Sequence, residues 1–233
     1  MGVSLGEWRT HPDPMRVMSR AVGKTKARFE APPSEELPER MDGFVKWFND
    51  SSSELRQAPV RSALVHLYFE SLHPFEDGNG RIGRALSEKA ISQGLGRPAL
   101  LSLSQALEAD KSAYYDALEQ AQKCNEVTSW IRYFVGIAAQ AQARAEEQID
   151  FVLRKTRFFD THREVLSERQ LKVVRRMLDE GPDGFEGGMN ARKYGSLTGV
   201  SKATATRDLQ TLVEQGVFVP TGGGRSTRYK LSL

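Results

Sequence analysis

The sequence predicts a mainly α-helical protein: a helical bundle preceded by one β-hairpin and followed by a small α+β domain. Three observations predict this fold class. Apolar residues recur at helical spacing between residues 38 and 156, short alternating runs precede them, and three short helical patterns followed by two strand patterns close the chain. We expect the bundle domain at residues 1–150, a connecting helix at 151–165, and the second domain at 166–233.

Composition limits the function classes. With 39% hydrophobic and 27% charged residues, the chain has the composition of an ordinary soluble globular protein. No apolar run of membrane-spanning length and no signal peptide occur, so we expect no membrane partner and a cytoplasmic location. The single cysteine, Cys124, excludes an internal disulfide and is interpreted as a small structural hydrophobe. A net charge of +3 permits nucleic-acid binding without arguing for it.

The first elements follow from local patterns. Alternating residues in two short runs within residues 8–30, with Gly23-Lys24 between the runs, predict a β-hairpin. Met41, Phe44, Val45 and Phe48 are predicted to share one helical face, and residues 51–57 are predicted to form a polar connector. A strong amphipathic helix then begins near Pro59, which is favoured in a first helical turn.

This helix ends at His73, because Pro74 disfavours helical backbone in the residue before it. A glycine-rich stretch follows, and a new helix is expected to begin between Gly80 and Arg84. Residues 104–123 and 128–156 are rich in strong helix formers and are each predicted to form one long helix.

The last segment changes character. Helical patterns surround residues 171–178 and 191–197, and a third helix is predicted over 201–215, with Ser201 as its N-cap and Gly216 as its stop. Two strand patterns then flank a glycine-rich turn. Three helices followed by a two-stranded hairpin is the order of a winged helix-turn-helix domain.

Residues 73–84 carry the chemistry. Their glycines let backbone N–H groups approach an anion at the mouth of a helix, where negative charge is already favoured. Arg81 and Arg84 are one turn apart and suit a polyphosphate. Asp77 at the loop edge is a natural Mg²⁺ ligand beside phosphates. The unperturbed pKa of a histidine side chain suits a general base that takes a proton from a hydroxyl, so His73 is the candidate base.

Two commoner phosphate motifs are excluded. Gly78-x-Gly80-x-x-Gly83 satisfies the dinucleotide-binding pattern, but that pattern follows a strand, whereas a helix precedes it here. The pattern G-x-x-x-x-G-K-[ST] does not occur.

The string His73-Pro-Phe-Glu-Asp-Gly-Asn-Gly-Arg-Ile-Gly-Arg84 resembles the Fic signature H-x-F-x-[DE]-G-N-G-R-x-x-R at every specified position. The resemblance extends over about residues 3–150. It implies a Fic-type helical bundle with a β-hairpin flap and transfer of AMP from Mg·ATP to a protein hydroxyl, with release of pyrophosphate. It also assigns roles to the matching residues: His73 as base, Phe75 as loop anchor, Asp77 as Mg²⁺ ligand, Gly78, Asn79 and Gly80 as anion hole, Arg81 and Arg84 as phosphate ligands, and Tyr114 or Tyr115, with Tyr115 preferred, as adenine contact.

The resemblance has one departure. Many members carry an inhibitory helix with the pattern [ST]-x-x-x-E-[GN], and this chain does not contain it. We therefore expect no inhibition in cis through Arg84.

The acceptor and the partners stay open. The resemblance implies a Tyr, Thr or Ser hydroxyl of another protein or of the chain itself, and a homodimer is possible. Alternatives are removal of AMP, transfer of another phosphoryl-bearing group, or a DNA-binding regulator whose core senses nucleotide. The candidate DNA contacts are Lys202, Thr204 and Arg207 on the third helix of the second domain, and Arg225 and Arg228 on its hairpin. Asp208 and Glu214 count against DNA binding.

Overall fold

The computed structural model describes residues 6–21 and 24–233, and it separates into two compact units. The first ends at Ala145 and the second begins at Glu146. The expected mainly helical architecture is confirmed.

The expected N-terminal hairpin is confirmed. Strands β1 (Arg16–Ala21) and β2 (Lys24–Glu30) pair in antiparallel register, with a bulge between Val17 and Met18. Gly23, which the sequence placed between the strands, lies outside the described residues.

Helices form the rest of the first unit. They are α1 (Leu37–Glu54), α2 (Ala58–Leu72), α3 (Asn79–Leu95), α4 (Leu103–Ala109), α5 (Lys111–Ala121) and α6 (Thr128–His162), the last of which continues into the second unit. Pro59 occupies the first turn of α2, as expected. The helix after the glycine-rich stretch begins at Asn79, slightly earlier than predicted.

Two predicted boundaries were wrong. The connector expected at 51–57 is mostly helical, because Ser51 is buried and its hydroxyl donates to the Phe48 carbonyl (3.3 Å) within α1. The single helix expected at 104–123 is divided at Asp110, whose backbone leaves the helical region (φ −139°, ψ 72°) and whose carboxylate caps α5 by accepting from the Ala113 N–H (3.0 Å).

Buried Arg61 ties together the three helices that support the glycine-rich loop. From α2 its guanidinium donates to Ser51 Oγ (3.0 Å) on α1 and to Gln93 Oε1 (2.9 Å) on α3, and it lies 4.8 Å from the centre of the Phe48 ring. A buried arginine is stable only when its donors are satisfied, so these contacts fix α2 and α3 against each other.

Trp130 is buried, and its indole N–H donates to the Ala63 carbonyl (2.8 Å). Val45, expected on the apolar face of α1, is exposed instead. Cys124 was wrongly interpreted as a small structural hydrophobe, because it lies exposed just after the end of α5.

The second unit has the element order expected for a winged helix. Helices α7 (Glu168–Leu178), α8 (Ala191–Thr198) and α9 (Lys202–Glu214) are followed by the antiparallel strands β3 (Phe218–Thr221) and β4 (Arg228–Leu231). As predicted, the Ser201 hydroxyl caps α9 by accepting from the Thr204 N–H, and Gly216, at φ 72°, follows the end of that helix.

Among the described residues, no helix is both long and apolar enough to cross a membrane.

Candidate active site

The site begins where α2 stops. His73 takes a left-handed conformation (φ 45°, ψ 58°), and its N–H donates to the Phe69 carbonyl (3.0 Å). A non-glycine residue in this conformation costs roughly 1–2 kcal/mol, so surrounding contacts have to hold it there.

Arg9 supplies those contacts, and sequence reasoning did not assign it to the site. It is buried, its Nε donates to the His73 carbonyl (3.0 Å), and its Nη2 donates to the carbonyls of Leu72 (3.5 Å) and Pro32. Its own backbone N–H donates to the Pro74 carbonyl (2.9 Å). Arg9 therefore joins the segments on both sides of the hairpin to the backbone of His73. An isolated arginine before a hairpin gives no sequence signal for such a role.

Asn79 closes the loop on itself. Its Oδ1 accepts from the Phe75 N–H (3.0 Å), and its Nδ2 donates to the Phe75 carbonyl (2.7 Å). Both polar ends of the buried side chain are held within the loop in this way, while the backbone N–H of Asn79 lies in the first turn of α3, where it lacks a partner within the helix. Phe75 packs on the core near Phe69, with ring centres 6.4 Å apart, which suits its expected role as an anchor.

Each glycine of the loop is required for a different structural reason. Gly78 precedes α3 with a left-handed backbone (φ 90°), and the first N–H groups of α3 lack partners within the helix, so they favour an anion. A Cβ on Gly80 would lie 3.1 Å from Arg84 Nη1. A Cβ on Gly83 would lie 2.6 Å from Glu70 Oε1 and 3.3 Å from the Phe69 ring. Gly83 thus makes room for a buried carboxyl group beneath the loop.

Replacing Gly83 by alanine is expected to destabilise the protein by about 1–3 kcal/mol, because the new methyl group overpacks against Glu70 and Phe69. Urea unfolding of the full chain measures this. Gly136→Ala is the matched control, since a Cβ there meets nothing within 4 Å. Equal stability of the two variants would contradict the crowding described here.

The charged loop residues are accessible. Arg81 Nη2 lies 3.2 Å from Asp77 Oδ2, and both side chains are more than 70% exposed. Arg84 Nε donates to Ser104 Oγ (2.9 Å) on α4. Asp77 fits Mg²⁺, because this ion is usually held by one or two carboxylates together with phosphate oxygens. No cluster of three metal-binding side chains occurs among the described residues.

One cavity of about 580 Å³ brings most predicted site residues together. Its wall contains His73, Asp77, Gly78, Asn79, Gly80, Arg81, Arg84, Tyr114 and Tyr115. Phe75 lies behind the loop instead. The wall also includes residues that the sequence did not single out: Glu76, Ser104, Gln105, Leu107, Glu108 and Lys111. They come from α4, α5 and the loop edge, and their spacing alone carries no motif.

A buried hydrogen-bond chain distinguishes the two tyrosines. The Ser87 hydroxyl donates to the Gly83 carbonyl (2.7 Å), so its oxygen accepts from His66 Nδ1–H (3.1 Å). His66 Nε2 is then left to accept from the Tyr114 hydroxyl (3.0 Å). His66 is fully buried, and this burial lowers its pKa to about 3. Tyr114 is therefore committed to the core, whereas Tyr115 is only partly buried.

The resemblance implies an adenine contact for Tyr115, and on that basis its replacement by alanine is expected to weaken ATP binding by about 1–3 kcal/mol, the usual loss when an aromatic ring stacked on a base is removed. Calorimetric titration with a non-hydrolysable ATP analogue measures this. Tyr114→Phe is the matched control. It should keep the affinity but lower stability by about 1–3 kcal/mol, because His66 loses its donor. Unchanged affinity in Tyr115→Ala would exclude the tyrosine from the base site.

The imidazole of His73 is neutral at physiological pH. Burial lowers its pKa to about 4, nearby Arg9 acts in the same direction, and the backbone carbonyl of Glu70 opposes them. A neutral imidazole can accept a proton, so the site presents a base beside an anion-binding loop.

In the second unit, the candidate DNA-contacting residues differ in how accessible they are. Lys202 and Arg207 are exposed on α9, whereas Thr204 is engaged with the Ser201 hydroxyl (3.1 Å). Arg228 is partly buried, and its guanidinium donates to the carbonyls of Ser226 and Thr227. The side chain of Arg225 lies outside the described part of the chain.

Asp208 was wrongly counted as a negative charge that opposes DNA binding. This carboxylate is buried and accepts from Arg169 Nε (2.6 Å), Arg169 Nη2 (2.9 Å) and the Tyr194 hydroxyl (2.9 Å). These contacts hold the pKa of Asp208 below its usual value. Because its charge is used inside the unit, only Glu214 still places an exposed negative charge on α9.

A helical domain with an anion-binding loop, joined to a winged helix, is the class that the fold and the site define. Residues 2–90 match the family model described as Fic/DOC family, and residues 187–232 match that of the transcriptional regulator DIP2311-like, C-terminal domain. The chain is therefore similar to the Fic/DOC family over residues 2–90 and to a regulator-type C-terminal domain over residues 187–232.

Two curated relatives illustrate the range of names. The protein adenylyltransferase Fic of Nematostella vectensis is 31% identical over 128 residues, which are 55% of this chain and 27% of the relative. The uridine 5'-monophosphate transferase of Xanthomonas campestris pv. campestris (strain 8004) is 34% identical over 95 residues, which are 35% of this chain and 17% of the relative. The chain thus spans only a minor part of the length of these relatives.

A solved structure supports the fold. The Fic family protein from Desulfovibrio desulfuricans G20 matches with a TM-score of 0.52 and 20% identity, over 97% of this chain and 62% of that protein.

Proposed function

We propose that the first unit is a protein adenylyltransferase that transfers AMP from Mg·ATP to a Tyr, Thr or Ser hydroxyl of a protein and releases pyrophosphate. The observation that carries the proposal is the neutral, largely buried imidazole of His73 in one cavity with the glycine-rich loop and two arginines. A hydroxyl acceptor needs a base, and a triphosphate needs hydrogen-bond donors at fixed positions. The imidazole and the loop with its two arginines therefore suit one reaction.

The proposed step assigns one task to each group. His73 Nε2 takes the hydroxyl proton while the hydroxyl oxygen forms a bond to the α-phosphorus. The bond from the α-phosphorus to the bridging oxygen breaks, and pyrophosphate leaves. The first N–H groups of α3 and the guanidinium groups of Arg81 and Arg84 hold the phosphates. Mg²⁺ held at Asp77 would neutralise phosphate charge when bound. The Arg81–Asp77 ion pair has to open for both residues to act.

Labelled ATP tests the proposal. The full chain is incubated with Mg²⁺ and either α-³²P or γ-³²P ATP, alone and with a protein extract, and protein-bound label is separated on a denaturing gel. Label from the α position alone supports AMP transfer. Label from the γ position alone shows phosphate transfer instead and overturns the proposal, as does the absence of label from either position.

The identity of the nucleoside is tested in a separate experiment, because one relative is named a uridine 5'-monophosphate transferase. Parallel reactions with α-labelled UTP compare the two bases at equal concentration. We expect ATP to be the better donor. A strong preference for UTP would keep nucleotidyl transfer and overturn AMP as the transferred group. Loss of label after incubation of a modified protein would indicate the reverse reaction, removal of AMP.

We also propose that the second unit binds DNA through α9. The observation that favours this is the removal of Asp208 from the surface, which leaves Lys202 and Arg207 exposed on the same helix. The description of the matching C-terminal family model agrees with such a role. The proposal is independent of the transfer reaction.

A gel-shift titration at several salt concentrations tests DNA binding. Arg207→Ala is expected to weaken binding and, if it contacts a phosphate, to reduce the salt slope by about 1. Lys172→Ala, an exposed basic residue on α7, is the matched control for net charge. The same loss in both variants, or no shift with the unmodified chain, would overturn a specific contact through α9.

A further inference from the structure

Glu70 is a buried carboxyl group to which the proposed reaction gives no role. It lies on α2, one turn before His73, and its side chain is 6% exposed. Its Oε1 is completely buried and accepts no hydrogen bond from the described residues. A buried oxygen without a donor costs about 1–3 kcal/mol, so a side chain kept in this position calls for a functional reason.

The carboxyl group lies between two parts of the site. Its Oε2 is 3.8 Å from His73 Nδ1, which is the buried ring nitrogen and also has no hydrogen-bond partner among the described residues. Its Oε1 faces the loop at Gly83, where a Cβ would lie only 2.6 Å away. The missing side chain at Gly83 thus opens the space that the carboxyl group occupies.

We propose that Glu70 is a positioning residue for His73: its carboxylate faces Nδ1, keeps Nε2 directed at the acceptor hydroxyl, and stabilises the imidazolium that forms when Nε2 takes the proton. The proposal rests on the transfer reaction proposed above. The distance of 3.8 Å is longer than a hydrogen bond, so a small rotation of either side chain has to shorten it during the reaction.

Electrostatics supports the pairing. Burial raises the pKa of Glu70 to about 7, although the positive charge of Arg84 on α3 opposes the shift. His73, with a pKa of about 4, is a weak base by itself. The groups facing Glu70 are His73 at the end of α2, Arg84 on α3 and Tyr114 on α5, whose pKa the carboxylate raises. As pH rises through about 7, Glu70 gains its charge beside Nδ1 and makes His73 a stronger base.

The test reads the imidazole directly and needs no transfer activity. Histidines of the full chain are labelled with ¹⁵N, and the ring shifts of His73, assigned by comparison with His73→Ala, are followed from pH 4 to 9. Two coupled groups titrate together, so His73 is expected to respond both near pH 7 and near pH 4. In Glu70→Gln only the lower step should remain.

The Glu70→Gln variant isolates the carboxylate. Glutamine has the same size and leaves the backbone carbonyl of Glu70 in place, so any change reports the side-chain charge. Glu39→Gln, on the exposed side of α1, is the matched control and should titrate like the unmodified chain. The His66 ring, whose nitrogens are both bonded, reports whether the core is intact. A His73 titration that is the same with and without Glu70 would overturn the proposal.

Where AMP transfer is measurable, a second readout follows. Glu70→Gln should lower kcat by roughly 10-fold or more, in the range for a disturbed general base, with little change in the KM for ATP. Its rate should also lose the dependence on pH near 7. If the chain transfers no AMP but His73 still shows both titration steps, the proposed function fails while the pairing of Glu70 with His73 stands.

Discussion

Replacing His73 by alanine is expected to lower the rate of AMP transfer by about 100- to 10,000-fold, the usual contribution of a general base. ATP affinity should change little, because in the proposed step the imidazole serves the acceptor hydroxyl while the loop N–H groups and arginines hold the phosphates. Transfer of α-label gives the rate, and calorimetric titration with a non-hydrolysable analogue gives the affinity.

The matched control is His11→Ala, a half-buried histidine whose ring hydrogen-bonds with the backbone carbonyl of Asp13 (2.9 Å). It should leave transfer unchanged. A full rate in His73→Ala would remove the base from the proposed step. A joint loss of rate and affinity would indicate that the left-handed turn at residue 73, and with it the phosphate loop, had collapsed.

The motif was readable from the sequence because its residues are neighbours in the chain. Glycines, arginines and a carboxylate within twelve residues predict an anion-binding loop at a helix start, and the structure places them around one cavity. The helix break before His73 was also readable, since proline restricts the residue before it.

The residues that contact the motif from distant positions in the chain could not be predicted from the sequence. Arg9 precedes His73 by 64 positions, and its contacts are with backbone carbonyls, which leave no pattern in side-chain types. Ser104 reaches Arg84 across 20 positions. Glu70 reads as one polar residue on an amphipathic helix, and only the space left by Gly83 shows that it is buried in the site.

The two wrong boundaries have a related cause. Helix propensity along 104–123 is high throughout, and it gives no weight to a carboxylate that can cap a second helix from within the run, as Asp110 does. The polar run after Phe48 was read as a connector because burial of Ser51 beneath Arg61 is a tertiary effect. Similarly, Asp208 looked like an exposed charge until its partner Arg169, 39 positions away, was placed beside it.

Replacing Arg9 by methionine is expected to destabilise the protein by about 3 kcal/mol or more, because several buried carbonyls lose their donor at about 1–3 kcal/mol each. One of them belongs to His73, whose left-handed backbone these bonds hold in place. We therefore expect kcat to fall roughly 100-fold even where the variant is fully folded, the order of loss that follows a displacement of about 1 Å in a catalytic group.

Urea unfolding and transfer assays below the unfolding transition separate the two effects. Arg16→Met is the matched control, because Arg16 is exposed and forms a surface ion pair with Glu30 (3.1 Å), worth about 0–1 kcal/mol. Arg9→Lys adds a sharper comparison. A single ammonium keeps the charge but cannot reproduce the geometry of a guanidinium that donates to three carbonyls, so it should restore part of the stability and little of the rate. If Arg9→Lys recovered the full rate, the transfer rate would depend on the positive charge near His73 and not on the hydrogen bonds that fix the His73 backbone.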